Sequence, residues 1–273
     1  KPFVKWAGGK RQLLGELEKN LPSKFGTYFE PFLGGGAVMF HMLSKNPNLK
    51  CHVSDLNSDL ILAYIAIRDK VDELIESLEV HSKKYQKNSN HYFYQVRGSE
   101  PTSQIEKVSR FIFLNKTCFN GLYRVNSKGK FNVPLGRYTN PNIVNKENLL
   151  AVSKTLQSAD IEFFCRDFEA ILHDSKKGDF VYFDPPYQPV SQTANFTSYT
   201  HRDFTEDDLE RLADVASQLD SKGCHVMLSN SNSKTVKKSF SSGWEIKEIS
   251  ANRSINSNSQ KRTGHKEIII KNY

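Results

Sequence analysis

The chain has 273 residues, enough for one large domain or two small ones with a sizeable core. Its 38% hydrophobic and 25% charged residues are typical of a soluble globular protein, and no apolar run is long enough to span a bilayer. Lys and Arg outnumber Asp and Glu by 38 to 30, and the four cysteines contain no C-x-x-C pair. We therefore expect a cytoplasmic protein with no membrane anchor, no signal peptide, no disulfide scaffold and no zinc finger.

The first third of the chain alternates short strands with helices, which is typical of a βαβ nucleotide-binding unit. Helical spacing of leucines predicts a helix over 13–21, and apolar residues predict strands over 28–32 and 51–53. Three glycines follow the first strand at 34–36, and Asp55 follows the second. Further helices are expected over 37–43 and 60–67.

The middle of the chain, from about residue 71 to 156, has mainly helical periodicity. Residues 119–138 are the exception, because they are rich in Asn, Gly and aromatic residues and carry a turn signal at 126–129. We interpret this region as an inserted, mostly helical domain with one β-hairpin.

The α/β pattern returns near residue 160. Strands are expected over 161–164, 226–228, 244–249 and 268–270, and the continuous apolar run at 180–183 predicts a strand that is buried on both faces. A capping box at 205–208 predicts the start of a helix. The fold class is therefore α/β with a Rossmann-like sheet, formed by residues 1–56 and 160–273 and interrupted by an inserted domain over 57–159.

The positive charge is concentrated in the inserted region. No acidic residue lies between Glu106 and Glu147, a stretch that holds eight basic residues, as many as the net charge of the whole chain. Such a segment on an otherwise neutral protein favours a surface that binds a polyanion. A solvated basic face is the alternative. The basic residues are Lys107, Arg110, Lys116, Arg124, Lys128, Lys130, Arg137 and Lys146.

The string EPFLGGGAV at 30–38 places glycines directly after a strand, where the backbone and a ligand approach each other closely. Asp55 lies about where an acidic residue binds ribose hydroxyls, but Met39 occupies the place of the third glycine of the dinucleotide fingerprint. The pattern favours a nucleoside-containing cofactor over NAD. A purely structural turn is the alternative.

The string FDPPY at 183–187 follows the buried strand directly, so its carboxylate is expected in the ligand crevice. Asp184 and the Pro185 carbonyl are acceptors for an exocyclic amino group, and the Tyr187 ring stacks on a planar heterocycle. When these acceptors take hydrogen bonds from the amino group, its nitrogen lone pair is drawn out of ring conjugation and the amine becomes nucleophilic. An acidic turn without chemistry is the alternative, which the coincidence of these residues disfavours.

Two further strings are weaker when taken alone. KWAGGK at 5–10 resembles a phosphate loop but lacks its glycine spacing and its Ser or Thr, so ATP binding is a poor interpretation. The basic segment at 119–138 has aromatic and basic side chains suited to touching phosphates, wedging between bases and reading a base edge. An ordinary hairpin with a local aromatic core is the alternative.

Together these motifs closely resemble the Dam-type, or D12 class, DNA adenine-N6 methyltransferases, nearest to the members that methylate GATC. The resemblance runs from about residue 3 to 199, with a weaker tail through residues 228–230. The strings that carry it are KWAGGK at 5–10, EPFLGGGAV at 30–38, SDLNSDLI at 54–61, FNGLYRVN at 119–126, FNVPLGRY at 131–138, FDPPY at 183–187 and TANFTSYT at 193–200.

The resemblance implies S-adenosylmethionine as the cofactor and double-stranded DNA as the partner of a monomeric, DNA-associated enzyme. It implies that residues 1–56 and 160–273 form the catalytic domain and 57–159 the target-recognition domain. The implied catalytic residues are Asp184, Pro185, Pro186 and Tyr187. The implied cofactor contacts are Trp6, Lys10, Glu30, Pro31, Phe32, Gly34, Gly36, Asp55, Phe164, Cys165 and Asp184. The implied DNA contacts are Phe119, Asn120, Leu122, Arg124, Asn126, Pro134, Arg137 and Tyr138.

The expected reaction is a direct transfer of the sulfonium methyl group to the amino group of an adenine flipped out of the duplex. Two other classes stay open on the residues alone. One is a methyltransferase that acts on RNA or on a protein Gln or Asn side chain, and the other is a non-catalytic DNA-binding module. The basic aromatic segment disfavours the first, and the intact D-P-P-Y string with its glycine loop disfavours the second.

Overall fold

The computed structural model describes residues 1–6, 8–187, 204–251 and 265–273. In this part of the chain the strands are β1 (Tyr28–Glu30), β2 (Cys51–Asp55), β3 (Ile161–Cys165), β4 (Phe180–Phe183), β5 (His225–Ser231), β6 (Glu245–Ala251) and β7 (His265–Lys271). The helices are α1 (Leu14–Glu18), α2 (Ala37–Lys45), α3 (Ser58–Asp69), α4 (Val71–Lys87), α5 (Ser89–Gly98), α6 (Gln104–Thr117), α7 (Lys146–Ser158), α8 (Ile171–Asp174), α9 (Glu206–Ser221) and α10 (Lys234–Ser239).

The strands form one sheet in the order β3-β2-β1-β4-β5-β7-β6. Strands β1 to β5 are parallel to one another, whereas β7 pairs antiparallel with both β5 and β6. The chain runs outward from β1 through β2 to β3, then returns to the other side of β1 with β4. The switch point of this Rossmann-like sheet therefore lies between β1 and β4. The expected α/β fold class is confirmed.

The strand β4 is buried on both faces, as its apolar run predicts. Phe180 and Tyr182 point into the core shared with the inserted helices, while Val181 and Phe183 point into a second core formed with α9. Because the side chains of β4 alternate between these two cores, the residues that follow β4 lie at the centre of the molecule, between two layers of helices.

Local signals explain where the helices begin. The predicted capping box is present at α9, where the Thr205 hydroxyl accepts from the Asp208 amide and the Asp208 carboxylate accepts from the Thr205 amide. At α3 the Asn57 side chain accepts from the Leu60 amide over 3.0 Å. The strand expected over 28–32 ends earlier, at Glu30, since Pro31 has no amide hydrogen to give to a neighbouring strand.

The segment 119–138 does not form the regular β-hairpin that the sequence predicts. The two arms meet at isolated antiparallel bridges, Cys118 with Leu135 and Val125 with Phe131, and between them no regular ladder forms. Gly136 lies so close to the Cys118 carbonyl that a Cβ there would be 2.7 Å from that oxygen. The expected turn is correct, since the Gly129 amide donates to the Asn126 carbonyl over 2.8 Å with Gly129 at a φ of 74°.

The helices of the inserted region are built onto the sheet. Helix α3 packs on β2 and β3 and also against α6 and α7, so one cluster of buried side chains runs from the sheet into the insert. Among the residues described, no helix has the length and apolar character that crossing a membrane requires. The string at 193–200 that contributed to the family resemblance lies outside the described residues.

Candidate active site

Three carboxylates lie where parallel strands end, at the edge of the sheet that contains the switch point. Glu30 is the last residue of β1, Asp55 is the last of β2, and Asp184 follows β4 directly. Because the carboxyl ends of parallel strands share one edge, these acids of distant sequence position come together. The sequence predicted this grouping through the two strings EPFLGGGAV and FDPPY.

Asp55 is tied to the glycine loop through both of its oxygens. Its Oδ2 accepts from the Gly34 amide and its Oδ1 accepts from the Asn57 amide, each over 2.9 Å. Burial raises the pKa of the Asp55 carboxyl, and the two amides oppose that shift. Each carboxylate oxygen accepts more than one hydrogen bond, so this arrangement can also receive ligand hydroxyls.

The glycine loop forms a cradle that leaves no room for side chains. Gly34 has a φ of 48°, and a Cβ there would lie 2.8 Å from Cδ1 of Trp6. Gly36 has a φ of 67°, and a Cβ there would lie 2.6 Å from the Tyr64 hydroxyl. That hydroxyl donates to the Gly34 carbonyl over 3.0 Å. Both glycines are thus required by positive φ and by close packing.

Glu30 is almost completely buried beside this cradle. Its Oε2 accepts from the Tyr28 hydroxyl over 2.9 Å, and the carboxyl also accepts from the Met39 amide at the start of α2. Burial raises the pKa of Glu30 to about 8, and the nearby Asp184 and Asp55 add to the shift. Glu30 is therefore a neutral carboxylic acid at neutral pH, held within the protein.

Asp184 lies between a cation and a hydroxyl. Its Oδ1 is 2.7 Å from Nζ of Lys10 and accepts from the Ser229 hydroxyl over 3.1 Å. Within the described part of the chain, Oδ2 has no partner. Burial raises the pKa of the Asp184 carboxyl, and the Lys10 ammonium opposes the shift. One oxygen is thus anchored, and the other can accept a hydrogen bond from a ligand.

The Tyr187 ring is held from two sides. Nζ of Lys10 lies 4.5 Å from the ring centre, and the phenol donates to Oε2 of Glu267 over 2.5 Å. Glu267 is buried and belongs to β7. Pro185 is buried and Pro186 is half-buried, so the whole D-P-P-Y turn is packed in place. The Lys10 ammonium also donates to the Gly8 carbonyl over 2.9 Å.

The other residues predicted to contact a cofactor divide between the core and the surface. Pro31 is buried, and the half-buried Phe32 stacks on Phe168 with ring centres 5.4 Å apart. Phe164 and Cys165 end β3 beside Ser54 and Asp55, where Cys165 is exposed. The structure thus brings the end of β3 next to Asp55.

The segment 119–138 joins the cofactor side through Asn115. The Asn115 side chain accepts from the Lys5 amide over 2.8 Å and donates to the carbonyls of Lys5 and Gly121. Phe119 is 48% exposed, and Asn120, next to it, has a φ of 54°. The segment therefore presents a solvent-facing aromatic ring on a base that is fixed to the N-terminal string.

Most of the predicted DNA contacts lie on the accessible side of this segment. The Nε of Arg124 donates to Oδ1 of Asn132 across the two arms over 2.8 Å. Nζ of Lys5 lies 4.0 Å from the Tyr138 ring centre. Those that are exposed are Phe119, Asn120, Asn126, Pro134 and Arg137, and those that are half-buried are Leu122, Arg124 and Tyr138.

The sequence matches the family model of the D12 class N6 adenine-specific DNA methyltransferases over residues 6–255. This chain belongs to that family. Type II methyltransferase M.MjaIII of Methanocaldococcus jannaschii is 44% identical over 288 residues, which cover 100% of this chain and 99% of that protein. Type II methyltransferase M1.LlaDCHI of Lactococcus lactis is 43% identical and covers 100% and 95%, and the DNA adenine methylase of Haemophilus influenzae is 34% identical and covers 98% and 92%.

Membership of the family decides between the alternatives that the residues left open. The protein is a DNA adenine-N6 methyltransferase, and neither a protein amide methyltransferase nor a non-catalytic module. The resemblance to the D12 class is confirmed. The roles of the individual site residues stay predictions.

Sequence reasoning missed several residues that shape the site of this D12 methyltransferase. Ser229 and Glu267 contact the D-P-P-Y turn from β5 and β7, which are far away in sequence. Tyr182, which lies in the apolar run two residues before Asp184, shares a 2.7 Å hydrogen bond with Ser229. The signal available for Ser229 was the weaker tail of the family resemblance at 228–230, which assigned it no role.

Proposed function

We propose that this enzyme transfers a methyl group from S-adenosylmethionine to N6 of an adenine in double-stranded GATC, after flipping that adenine from the helix. The observation that carries the proposal is the state of Asp184 at the switch point. Its Oδ1 is anchored by Lys10 and Ser229, and its Oδ2 has no partner within the described residues. A carboxylate oxygen presented in this way is suited to accepting one N–H of an exocyclic amine.

The residues around the glycine loop fit S-adenosylmethionine. The buried Asp55 carboxylate is suited to the ribose hydroxyls, the Gly34–Trp6 packing gives a cradle for the methionine part, and the end of β3 lies beside Asp55 for the adenine. The carboxylates of Asp55 and Asp184 also suit a cationic ligand. When bound, this cofactor supplies an electrophilic methyl group on a sulfonium centre.

The protein's contribution to the chemistry is to orient and polarise the target amine. In this proposal Asp184 and the Pro185 carbonyl each accept one N–H, which directs the nitrogen lone pair out of the ring plane. The Tyr187 ring, held by Glu267, stacks on the adenine. Positive charge develops on the attacking nitrogen, and the Asp184 carboxylate stabilises it. No covalent protein intermediate is required.

Lys10 keeps Asp184 in the form that this mechanism needs. The Lys10 side chain is 4% exposed, and its ammonium stabilises the ionised carboxylate against the cost of burial. A carboxylate is a stronger acceptor than the neutral acid, and only the ionised form stabilises a developing positive charge. The contact to the Tyr187 ring places the same ammonium beside the stacking surface.

The segment 119–138 is proposed as the DNA-reading element. Phe119 fills the gap left by the flipped adenine, while Leu122 and Pro134 flank the methyl group of thymine. Arg124 reads the guanine before or opposite the target adenine, supported by its hydrogen bond to Asn132. The remaining contacts, proposed to meet the DNA backbone and set its register, are Asn120, Asn126, Arg137 and Tyr138.

We also propose that target recognition belongs to residues 57–159 and catalysis to 1–56 and 160–273. The support is the position of the acid-free stretch, which carries α6, the 119–138 segment and the start of α7. One flipped base needs one active site, so a monomer is the proposed working unit.

A set of short DNA duplexes tests the sequence preference and the base flipping together. One duplex contains GATC, and the others change one base of the site at a time. We expect methylated adenine in GATC and a sharp loss for the variants in which a guanine is replaced. With 2-aminopurine in place of the target adenine, enzyme binding should increase its fluorescence as the base leaves the stack. Equal methylation of all duplexes would contradict GATC recognition.

Calorimetry tests the cofactor assignment. Wild-type protein should bind S-adenosylmethionine, and Asp55→Ala should weaken binding by about 1–3 kcal/mol, as expected for the loss of a charged acceptor for buried hydroxyls. Asp160→Ala, a change of an acid at the opposite edge of the sheet before β3, serves as the control. Unchanged affinity in Asp55→Ala, or preferential binding of NAD or ATP, would contradict the assignment.

A further inference from the structure

Tyr123 lies between two residues of the proposed DNA-reading segment but is directed to the cofactor side. Its ring stacks on Trp6, with ring centres 5.8 Å apart and an angle of 28° between the planes. Its hydroxyl donates to Oδ2 of Asp59 over 2.8 Å. Leu122 and Arg124, on either side of it, therefore have their backbone fixed by contacts outside their own segment.

Both partners of Tyr123 belong to the structure around Asp55. Trp6 packs against Gly34, whose amide donates to Asp55. Asp59 lies in the first turn of α3, and that helix is capped by Asn57, whose amide donates to the same carboxylate. The Tyr123 ring and hydroxyl thus reach two sides of one carboxylate, through Trp6 and through α3.

The environment of Tyr123 makes this connection strong and directional. The ring is also packed against Phe111 and Phe131, with ring centres 5.4 and 5.7 Å away. Burial raises the pKa of the Tyr123 phenol, and the Asp59 carboxylate adds to the shift. The phenol is therefore a permanent donor to Asp59, and a hydrogen bond to a charged acceptor in a packed environment is among the stronger ones.

We infer that Tyr123 is a positioning residue that couples cofactor binding to reading of the DNA. The inference rests on the proposed function, which places S-adenosylmethionine beside Trp6 and Asp55 and guanine beside Arg124. Occupation of the cofactor side restricts Trp6 and the start of α3, and Tyr123 transmits that restriction to the backbone that carries Arg124. Linkage then requires the effect to be reciprocal, so DNA tightens cofactor binding by the same factor.

The test measures this factor directly in full-length protein. The dissociation constant for a GATC duplex is determined with and without saturating S-adenosylhomocysteine, the methyl-free product, and the constant for that product is determined with and without the duplex. For the wild type we expect both ratios to agree, at on the order of tenfold. In Tyr123→Phe and in Asp59→Asn the ratio should fall to within about twofold of unity, while each ligand alone still binds within several-fold of wild type.

Combining the two substitutions separates a shared link from two independent effects. Because Tyr123→Phe already removes the hydrogen bond to Asp59, the double variant should lose no more coupling than Tyr123→Phe alone. Tyr94→Phe removes the hydroxyl of an exposed tyrosine in α5 and should keep the wild-type factor. If Tyr123→Phe does not fold, Asp59→Asn alone decides the question.

The outcomes distinguish this inference from the proposed function on which it rests. A wild-type ratio near unity, or wild-type coupling in both Tyr123→Phe and Asp59→Asn, would overturn the positioning role while leaving the methyltransferase assignment in place. Failure of the wild type to bind S-adenosylhomocysteine at all would instead contradict the proposed cofactor. A merely structural role of Tyr123 predicts a lower melting temperature with an unchanged ratio.

Discussion

The ammonium of Lys10 lies 2.7 Å from Oδ1 of Asp184, so the first motif of the chain contacts the D-P-P-Y motif directly. The two residues are separated by most of the sequence, and β1, the glycine loop and β4 lie between them in the chain. The same ammonium contacts the Tyr187 ring. One buried cation thus holds together the acid and the aromatic ring that the mechanism requires.

Replacement of Asp184 should remove catalysis and leave DNA binding largely intact. Asp184→Ala loses the acceptor of the target amine, and Asp184→Asn presents an amide that is uncharged and a weaker acceptor. We expect single-turnover methylation to fall by at least about 10²–10³-fold in both variants. Gel-shift titration should give affinities for DNA within several-fold of wild type. Near-normal turnover in either variant would remove Asp184 from the mechanism.

Removal of the Lys10 charge should move the acid limb of the pH–rate profile to higher pH. Burial raises the pKa of the Asp184 carboxyl, and Lys10 and the Ser229 hydroxyl oppose that shift, so Lys10→Met removes the larger opposing effect and leaves only Ser229. The carboxylate is then protonated at a higher pH than in wild type. Single-turnover rates at saturating cofactor give the profile. The control is Lys45→Met, which breaks an exposed ion pair with Glu18 and should leave the pH–rate profile unchanged. If the acid limb of the profile does not move in Lys10→Met, the proposed role of Lys10 is contradicted.

The buried Glu30 should make the protein less stable as the pH rises. Its pKa is about 8 in the folded state against an ordinary value of 4.5, so between these values the folded state binds more protons than the unfolded state. The free energy of unfolding therefore decreases as the pH rises through this window. Glu30→Gln cannot titrate and should show a shallower decrease between pH 5 and pH 8 in urea denaturation, at ~1.4 kcal/mol for each unit of pKa shift removed. The exposed Glu76→Gln is the control, and equal slopes in Glu30→Gln and wild type would contradict the prediction.

Arg124 should carry discrimination at a guanine. Arg124→Ala is expected to lose about 1–3 kcal/mol of discrimination at that base and to methylate near-cognate sites relatively better. Asn132→Ala removes the side chain that fixes Nε of Arg124 and should cause a smaller loss at the same base. Methylation rates on GATC and on duplexes with one base changed give the discrimination of both variants. An unchanged site preference in Arg124→Ala would refute this role.

Arg137 is the matched control for that experiment, because it is exposed on the same segment and is proposed to meet a phosphate. Arg137→Ala should weaken DNA binding to all sequences alike. The slope of log affinity against log salt concentration should also decrease by about one. A base-specific effect of Arg137→Ala would reassign the two arginines.

The sheet and the positions of its acids could be predicted because they depend on local patterns. The apolar run at 180–183 fixes β4, and the glycines at 34–36 need the positive φ values that Gly34 and Gly36 adopt. Since parallel strands end at a common edge, Asp55 and Asp184 follow directly from that pattern. The position of the candidate site was therefore available from the sequence alone.

The contacts between distant segments were not predictable from the same patterns. Glu267 sits in β7, which returns antiparallel to the edge, and nothing in its local sequence indicates that it meets Tyr187. Nothing in the local sequence indicates the orientation of Tyr123, whose ring stacks on Trp6 and whose hydroxyl donates to Asp59. The segment 119–138 has isolated bridges in place of a regular ladder, and Gly136 packs closely against the Cys118 carbonyl beside one of them.

The most direct test of the account follows the methyl group itself. Protein and S-adenosylmethionine with a tritiated methyl group are incubated with a GATC duplex, the same duplex with its target adenines replaced, an RNA and a protein substrate. The account predicts label in N6-methyladenine of the GATC duplex, none in the other substrates, and none with Asp184→Ala. Label in RNA or protein, label in the duplex that lacks the target adenines, or transfer that survives Asp184→Ala would contradict it.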